Sequence, residues 1–331
     1  MEEHLNSSNL TTTNATSDYS NILACCLFSI VCAPSLILYI YILYILIYHF
    51  NVLRQRLNIV VIALGIVDCA ALVLQQFYSV PSSALNQDVT RKFMSPYVLG
   101  WINHISFYLQ ISHVLYIGYN RYVCLSSTSL EEYDLKFPKR RILLSVALMW
   151  LLSAVMVGVM NSGTCFSLYY YDAYFWGYEC SDPSSAAIVD RINMIVVLLI
   201  CLAIFVIYAA SWLQLRNMNK VGMTGSVLPH IAARHKAERK TAMQFIILAV
   251  NLIALEISFY AIPALPISGL SISLIIGMCY LTFCALNPYL YLVYNSHLRR
   301  IVLKSLNESY LRIFNKTLVK EGVTRADATR I

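Results

Sequence analysis

Residues 113–125 read HVLYIGYNRYVCL and close a long apolar run that begins near Tyr97. The run ends at a single arginine, Arg121, which lies between Asn120 and Tyr122. A charged side chain at the end of an apolar segment is costly unless it reaches the membrane interface or finds polar partners inside a helix bundle. In an isolated helix, an anchoring arginine at the membrane boundary explains the pattern equally well. Further apolar runs in the same chain favour the bundle.

The composition indicates an integral membrane protein. The chain of 331 residues is 59% hydrophobic and only 12% charged, whereas a soluble domain is nearer half apolar and about a quarter charged. Its length suits one bundle rather than several soluble domains. The net charge of +7 does not indicate a nucleic-acid partner, because the basic residues fall in loops on one predicted side of the membrane and in the carboxyl-terminal tail.

Seven apolar runs are each long enough to cross about 30 Å of hydrocarbon as a helix. Strands are not expected, because no run alternates between polar and apolar residues. We therefore predict an all-α bundle of seven transmembrane helices at 20–294, with a short extracellular tail at 1–19 and a cytoplasmic amphipathic helix and tail at 295–331. The predicted helices are 20–48, 57–80, 97–122, 141–160, 188–213, 243–265 and 271–294.

The distribution of lysine and arginine predicts the orientation. The loops after the first, third and fifth runs and the carboxyl-terminal tail hold most of the basic residues, whereas the opposite side has only Arg91 and Lys92, with Arg191 just inside the fifth run. The amino terminus is therefore expected outside and the carboxyl terminus inside. Three glycosylation sequons, at Asn6, Asn9 and Asn14, lie in the tail that is expected outside, so we expect glycans there.

Two cysteines stand apart from those within the apolar runs. Cys165 and Cys180 both fall in the long loop between the fourth and fifth runs, on the predicted oxidising side, and the loop between them is rich in aromatic residues. We expect these two to form a disulfide. Pairing of one of them with Cys25 or Cys26, near the first run, is the alternative.

Two carboxylates lie in the middle of apolar runs: Asp68 in the second and Glu256 in the sixth. An ionised carboxylate in hydrocarbon is costly, so each must face the bundle interior, water, a cation or a proton. For Asp68 this predicts a site for sodium or water, with a tolerated polar residue as the alternative. No motif surrounds Glu256, so function and tolerance are equally good explanations there.

The seventh run ends in Asn287-Pro288-Tyr289-Leu290-Tyr291. Proline breaks the helical hydrogen-bond ladder, so this helix can flex at Pro288. Asn287 and Tyr291 lie about one turn apart and present polar groups on one face. A five-residue pattern of this kind is weak by itself, but its place at the inner end of the last apolar run makes it specific.

Asn120-Arg121-Tyr122, Asn287-Pro288-x-x-Tyr291 and Asp68 together resemble the motifs of rhodopsin-like G-protein-coupled receptors, and Trp150 falls where that family has a tryptophan. The resemblance implies that Arg121 locks the inactive bundle and then contacts a heterotrimeric G protein. It also implies that Asp68, Asn287 and Tyr291 form a polar relay. Glu238 would be the ionic partner of Arg121, with a solvated charge as the alternative.

The departures from that family point to a narrower group. Asn120 replaces the usual acid, the outer end of the third run has no cysteine, and Glu256 takes the place of a tryptophan if Glu238 sets the register. Gln110-Ile111-Ser112-His113, the two loop cysteines and the segment 294–299 are similar to nematode serpentine chemoreceptors of class x. This resemblance implies a receptor in the plasma membrane of a sensory neuron, for instance in its cilium, that responds to an environmental or pheromone-like small molecule.

A ligand pocket is expected in the outer part of the bundle, where small-molecule sites lie between helices. About five turns before Arg121, the third run carries Asn103 and His104. Asn103 is not an acid, so the counterion of amine receptors is missing there, and the seventh run has no lysine for a retinal Schiff base. The candidate ligand contacts are Trp101, Asn103, His104, Tyr108, Glu256 and Tyr260.

Three other classes of function compete with a receptor. Asp68 and Glu256 would suit an ion-coupled transporter or channel, but the chain has no evident inverted repeat. An intramembrane enzyme is not favoured, because His-Glu-x-x-His and Gly-x-Ser-x-Gly motifs are absent. A seven-helix binding protein that does not couple to a G protein stays open because of Asn120. Apart from a sodium ion at Asp68, we expect no cofactor.

Overall fold

A computed structural model describes residues 3–48, 56–90, 95–127, 130–162, 164–171, 173–222, 229–261, 269–295 and 298–305. Its helices are α1 (Glu3–Tyr48), α2 (Arg56–Leu74), a π-helical turn (Gln75–Ser79), α3 (Val80–Leu85), α4 (Pro96–Ser126), α5 (Leu130–Lys136), α6 (Lys139–Met160), α7 (Pro183–Gly222), α8 (Pro229–Ala261) and α9 (Gly269–Tyr294). Residues 298–305 are also helical.

Six segments within these helices are long and apolar enough to cross a membrane: Asn21–Tyr48, Asn58–Leu85, Lys139–Met160, Pro183–Asn217, Ala242–Phe259 and Ile272–Tyr294. Each coincides with one of the predicted runs, with ends that agree to within six residues. Several helices extend past the apolar spans, because backbone hydrogen bonding continues into the polar residues that follow. The first helix begins at Glu3, so the predicted tail continues the helix of the first span. The protein is a multi-pass helical membrane protein.

The third predicted run, 97–122, forms the continuous helix α4 but is not among the six apolar spans. At about 1.5 Å per residue, its 31 residues are long enough to cross a bilayer. Its mean hydropathy is lowered by polar side chains that are buried in the protein, among them Asn103, Gln110 and His113. They can be buried because α4 is the central helix, in contact with α2, α6, α7 and α8.

The second predicted run is interrupted. A π-helical turn, Gln75–Ser79, joins α2 to α3, and Pro81 follows in the first turn of α3. Proline has no N–H to donate and its ring crowds the carbonyl of the preceding turn, so a locally wider helix accommodates it. The sequence analysis placed no break here and ended the helix at 80, whereas the structure continues it to Leu85.

The loop between α6 and α7 is a β-hairpin, which the sequence analysis did not predict. Strand β1 (Cys165–Tyr170) pairs antiparallel with β2 (Phe175–Cys180), and Cys165 lies directly opposite Cys180. The two cysteines form a disulfide, as predicted. The alternative pairing is wrong, because Cys25 and Cys26 are both free thiols and Cys25 instead contacts the carbonyl of Val80 at 3.3 Å.

Candidate functional site

The hairpin is held against the bundle by a close backbone approach to α4. A Cβ atom at Gly100 would lie 2.0 Å from the carbonyl oxygen of Ser167, so only glycine permits this contact. Asn161, at the end of α6, accepts hydrogen bonds from the Ser167 amide at 2.6 Å and from its hydroxyl at 2.8 Å. Close packing therefore holds the loop against α4, hydrogen bonds hold it to the end of α6, and no cysteine of α4 takes part.

A cavity of about 510 Å³ lies between the hairpin and the bundle. That volume falls within the range of small-molecule sites, about 300–1,000 Å³. The polar lining comes from Gln75, Asn103, His104, Asp190, Asn193 and Glu256. Nine lining residues are aromatic: Phe28, Phe107, Tyr170, Tyr174, Phe175, Trp176, Tyr178, Phe259 and Tyr280.

Three of the predicted ligand contacts, Asn103, His104 and Glu256, line this cavity. Tyr108 does not line it, but its hydroxyl donates a hydrogen bond to the lining residue Asn193. Trp101 is 42% exposed and lines no part of this cavity, so its role as a ligand contact stays a prediction. Successive helical residues are rotated by about 100°, so Trp101 and Asn103, two residues apart, lie about 200° apart and on opposite faces of the helix.

The side chain of Tyr260 lies outside the described residues, so the prediction for it stays a prediction. The structure adds residues that the sequence analysis missed. The largest group among the described lining residues, six, comes from the hairpin, including Trp176 and Tyr178, and four come from α9, including Tyr280. The aromatic loop between the two cysteines was noted in the sequence, and it was the available signal for the hairpin residues.

His104 has a defined tautomer in its neutral form. Its Nδ1 lies 3.0 Å from the carbonyl oxygen of Gly100, and a carbonyl can only accept, so Nδ1 carries the proton. Its ring packs against Tyr178, with 4.5 Å between ring centroids. Burial raises the pKa of Tyr178, and the nearby carboxylate of Asp190 raises it further. Tyr178 is therefore a neutral phenol at physiological pH, and the Nε2 of neutral His104 is an acceptor.

Glu256 is the buried carboxylate of the cavity. Its side chain is only 4% exposed, and its Oε1 atom has no hydrogen-bond partner. Buried polar atoms are almost always paired, so an unpaired one requires an explanation. The isolated acid that the sequence analysis could not assign thus lies at the wall of the cavity.

Asp68 has very different surroundings. Its carboxylate is fully buried and accepts hydrogen bonds from the Tyr39 hydroxyl at 2.5 Å, the Asn287 amide at 2.6 Å and the Gln110 amide at 2.8 Å. Three donors on three other helices therefore converge on one acid. Asn287 was expected here, whereas Tyr39 and Gln110 were not.

A chain of polar contacts connects the cavity with Asp68. The Tyr280 hydroxyl donates to Asn103 at 3.2 Å, and Cys284, one turn further along α9, is within hydrogen-bond reach of Tyr280. The Gln110 amide lies 3.3 Å from the Cys284 sulfur and donates to Asp68. Polar side chains of α4 and α9 thus form a continuous strip through the apolar core.

The predicted switch residues lie at the other end of α4. Asn120 is fully buried and exchanges hydrogen bonds with the hydroxyl of Tyr133 on α5, with lengths of 3.1 and 3.2 Å. Arg121 is 8% exposed and within electrostatic reach of Tyr208 on α7. Tyr122 is 37% exposed, so it does not share the buried face of its two neighbours.

The residues around Pro288 also come together as expected. Pro288 lies inside α9, and the side chains of Asn287 and Tyr291 are both buried. The Tyr291 ring meets the Tyr39 ring edge-on, with centroids 6.5 Å apart. Trp150, in contrast, is 41% exposed on the outer surface of α6. The side chain of Glu238 lies outside the described residues, so its predicted pairing with Arg121 stays a prediction.

Among the residues that the structure describes, no cluster of three or more His, Cys, Asp or Glu side chains could hold a metal ion. The geometry therefore consists of an aromatic cavity under the hairpin, a buried polar cluster and a buried arginine at the opposite end of the central helix. The chain is a helical membrane bundle with a cavity at one end.

Comparison with solved structures supports this class. The fold is similar to that of squid rhodopsin, with a TM-score of 0.68 and 14% sequence identity over 87% of this chain and 80% of that one. The family profile described as "Serpentine type 7TM GPCR chemoreceptor Srx" matches residues 30–286. The chain therefore belongs to the Srx family of serpentine chemoreceptors. It is a G-protein-coupled receptor of the chemosensory type rather than an enzyme. A comparison with curated protein sequences finds no match.

Proposed function

We propose that this receptor binds an extracellular small molecule in the aromatic cavity and transmits the event to a heterotrimeric G protein at the inner end of α4. The observation that carries the proposal is the polar strip from Asn103 to Asp68, because it joins the cavity to the cluster that contains Asn287. A ligand that changes the contacts of Asn103 or Tyr280 favours one of two helix arrangements by its difference in affinity for them.

The proposed topology has seven spans, with α4 as the seventh member of the bundle and the amino terminus outside. Residues 298–305 would be the predicted amphipathic helix: Leu298 and Val302 are buried against the bundle, while Arg299 and Arg300 are exposed. We expect glycans at Asn6, Asn9 and Asn14 and none at the cytoplasmic sequon of Asn307. The orientation is tested by mutating each sequon in turn and measuring the change in the receptor's apparent mass on glycosidase treatment. A glycan at a sequon places that residue on the extracellular side of the plasma membrane.

The inner end of α4 would act as the switch. Arg121 contacts the G protein in the active state and is held in the inactive state, with Glu238 as the proposed ionic partner. Tyr208 supports a role for α7, because its hydroxyl donates to the Val114 carbonyl at 3.2 Å and its ring fills the space beside Gly118. A Cβ atom at Gly118 would lie 2.7 Å from that ring.

A sodium ion at Asp68 remains part of the proposal. Sodium prefers oxygen ligands, and two oxygens beside the carboxylate, Gln110 Oε1 and Asn287 Oδ1, have no hydrogen-bond partner. Rotating either side-chain amide by about 180° would place its oxygen, instead of its NH2 group, toward a cation bound at Asp68. The residues therefore fit a cation. Its binding would take the place of the hydrogen bonds that the two amides now donate to Asp68.

The test is G-protein nucleotide exchange in membranes that contain the wild type, Arg121→Ala or Arg191→Ala at equal surface expression. We expect exchange above receptor-free membranes in the wild type and in Arg191→Ala, an exposed arginine at the opposite end of the bundle, and its loss in Arg121→Ala. Exchange is measured with and without an extract of candidate odorants. The extract could bind the purified receptor while nucleotide exchange stays at the receptor-free level with every G-protein class. That result would identify a binding protein that does not couple to a G protein.

A further inference from the structure

The cavity has a buried carboxylate with one unpaired oxygen, a lining rich in aromatic rings and no lysine or arginine among the lining residues that the structure describes. We propose that its ligand is an organic cation, for which Glu256 supplies the counter-charge. This inference rests on the proposed role of the cavity as the extracellular ligand site. It goes further by naming the chemical class of the ligand and the side chain that selects it.

The first argument is the state of Glu256. Its side chain is 4% exposed, it lines the cavity, and its Oε1 has no partner, although the same protein gives Asp68 three hydrogen bonds. A carboxylate in such surroundings needs a cation or a proton as its partner. A ligand cation entering the cavity supplies that partner, and the carboxylate then has a counter-charge that no described lining residue provides.

The second argument is the lining. Nine of the nineteen lining residues are Phe, Tyr or Trp, and aromatic faces attract cations, above all quaternary and other substituted ammonium groups. The Nε2 of neutral His104 adds an acceptor. A ligand with an anionic group would meet Glu256 and Asp190 without a described lysine or arginine to balance them.

The third argument is the charge of the sequence around the hairpin. The segment 161–190, which contains the hairpin and the start of α7, has four acidic residues, Asp172, Glu179, Asp182 and Asp190, and its first basic neighbour is Arg191. Asp190 is exposed and lines the cavity. Like charges along a cleft concentrate ligands of opposite charge and raise their association rate. The segment thus complements the same class of ligand as Glu256.

The position of Glu256 also suggests how charge is converted into a signal. It lies on α8, whereas five of the nine described aromatic lining residues belong to the hairpin, and α1, α4, α8 and α9 supply one each. A cation held by these rings draws the α8 carboxylate toward them. Binding therefore favours the helix arrangement in which α8 approaches the cavity, and a neutral ligand of equal shape lacks this effect.

The experiment uses the full-length receptor in lipid nanodiscs, without a G protein. The probes are choline and benzyltrimethylammonium, each paired with a neutral analogue in which carbon replaces the charged nitrogen: 3,3-dimethylbutan-1-ol and neopentylbenzene. Binding is followed by thermal stabilisation and by tryptophan fluorescence, because Trp176 lines the cavity. We expect saturable binding of at least one cation, roughly tenfold or more tighter than its neutral analogue.

Two variants identify the residue. Glu256→Gln keeps the size of the side chain and should abolish the preference for the cation, whereas Asp134→Asn, on α5 at the opposite end of the bundle and outside the cavity lining, should leave it unchanged. Asp190→Asn should slow association at low ionic strength without removing the preference, and because Asp190 is exposed this variant serves if Glu256→Gln does not fold.

Three results would overturn the proposal: no saturable binding of either cation, equal binding of the neutral analogues, or a preference that survives in Glu256→Gln. A cation that binds through Glu256 but causes no nucleotide exchange would instead overturn G-protein coupling and leave the cation site standing. The two proposals thus fail in different ways.

Discussion

Replacing Gly100 with alanine should detach the β-hairpin from α4. The added Cβ would lie 2.0 Å from the Ser167 carbonyl oxygen, whereas an ordinary carbon–oxygen contact is about 3.3 Å or more. The hairpin must therefore retreat by more than about 1 Å, which stretches its two hydrogen bonds to Asn161 beyond useful length. Each bond is worth about 1 kcal/mol, and overpacking costs about 1–3 kcal/mol.

Alanine also improves helix propensity by about 1 kcal/mol, which offsets part of this loss. We expect a net destabilisation of about 2–4 kcal/mol, measured as a lower apparent melting temperature of the purified receptor in detergent. Gly158→Ala is the matched control, because it is also a helical glycine but a Cβ there meets nothing within 4 Å. It should be neutral or stabilising. Equal melting temperatures for the two variants would refute the argument that Gly100 holds the hairpin by close approach.

Three further predictions concern the disulfide, the buried acid and the switch. Replacing Cys165 and Cys180 together with serine should cost about 3 kcal/mol of loop-closure entropy, for a sequence separation of 15; a melting temperature equal to that of wild type would argue against it. Asp68→Ala leaves three buried donors unpaired and should lower surface expression and melting temperature far more than Asp68→Asn, which keeps one acceptor oxygen. Asn120→Asp places a buried carboxylate beside Arg121 and should lower basal nucleotide exchange, while Tyr133→Phe, which removes the hydroxyl bonded to Asn120, should not; unchanged exchange in Asn120→Asp would mean that the missing acid does not control basal activity.

The sequence predicts best what depends on hydrophobicity along the chain. Six apolar runs became spans because their lengths match the bilayer, and the third was recognisable although its buried face is polar. Asp68 and Asn287 could be placed together because each belongs to a recognisable pattern. Gln110 belongs to none, yet it is eleven residues before Arg121, about three turns, and this shared face was the signal that it points into the bundle.

The hairpin could not be predicted, for a physical reason. Strand β1 alternates between more and less buried positions, but its less buried residues Phe166, Leu168 and Tyr170 are apolar as well. A strand that is apolar on both faces lacks the alternation that reveals a strand. The cavity beneath it was out of reach for the same reason, since it is formed by contacts between the hairpin and four or more helices rather than by any local pattern.

The two buried carboxylates of the bundle, Asp68 and Glu256, differ in how far the protein satisfies their hydrogen bonds. Asp68 accepts hydrogen bonds from three donors, each on a different helix, so changing it is expected to affect folding and signalling together. Glu256 is almost equally buried but retains an unpaired oxygen beside a cavity large enough for a ligand. Selection for stability alone would remove such a group, because an apolar residue of similar volume packs without the desolvation cost. Glu256 is therefore the group with which the proposed ligand would pair, and the polar strip from Asn103 to Asp68 would be the first part of the proposed route from that ligand toward the opposite end of the bundle.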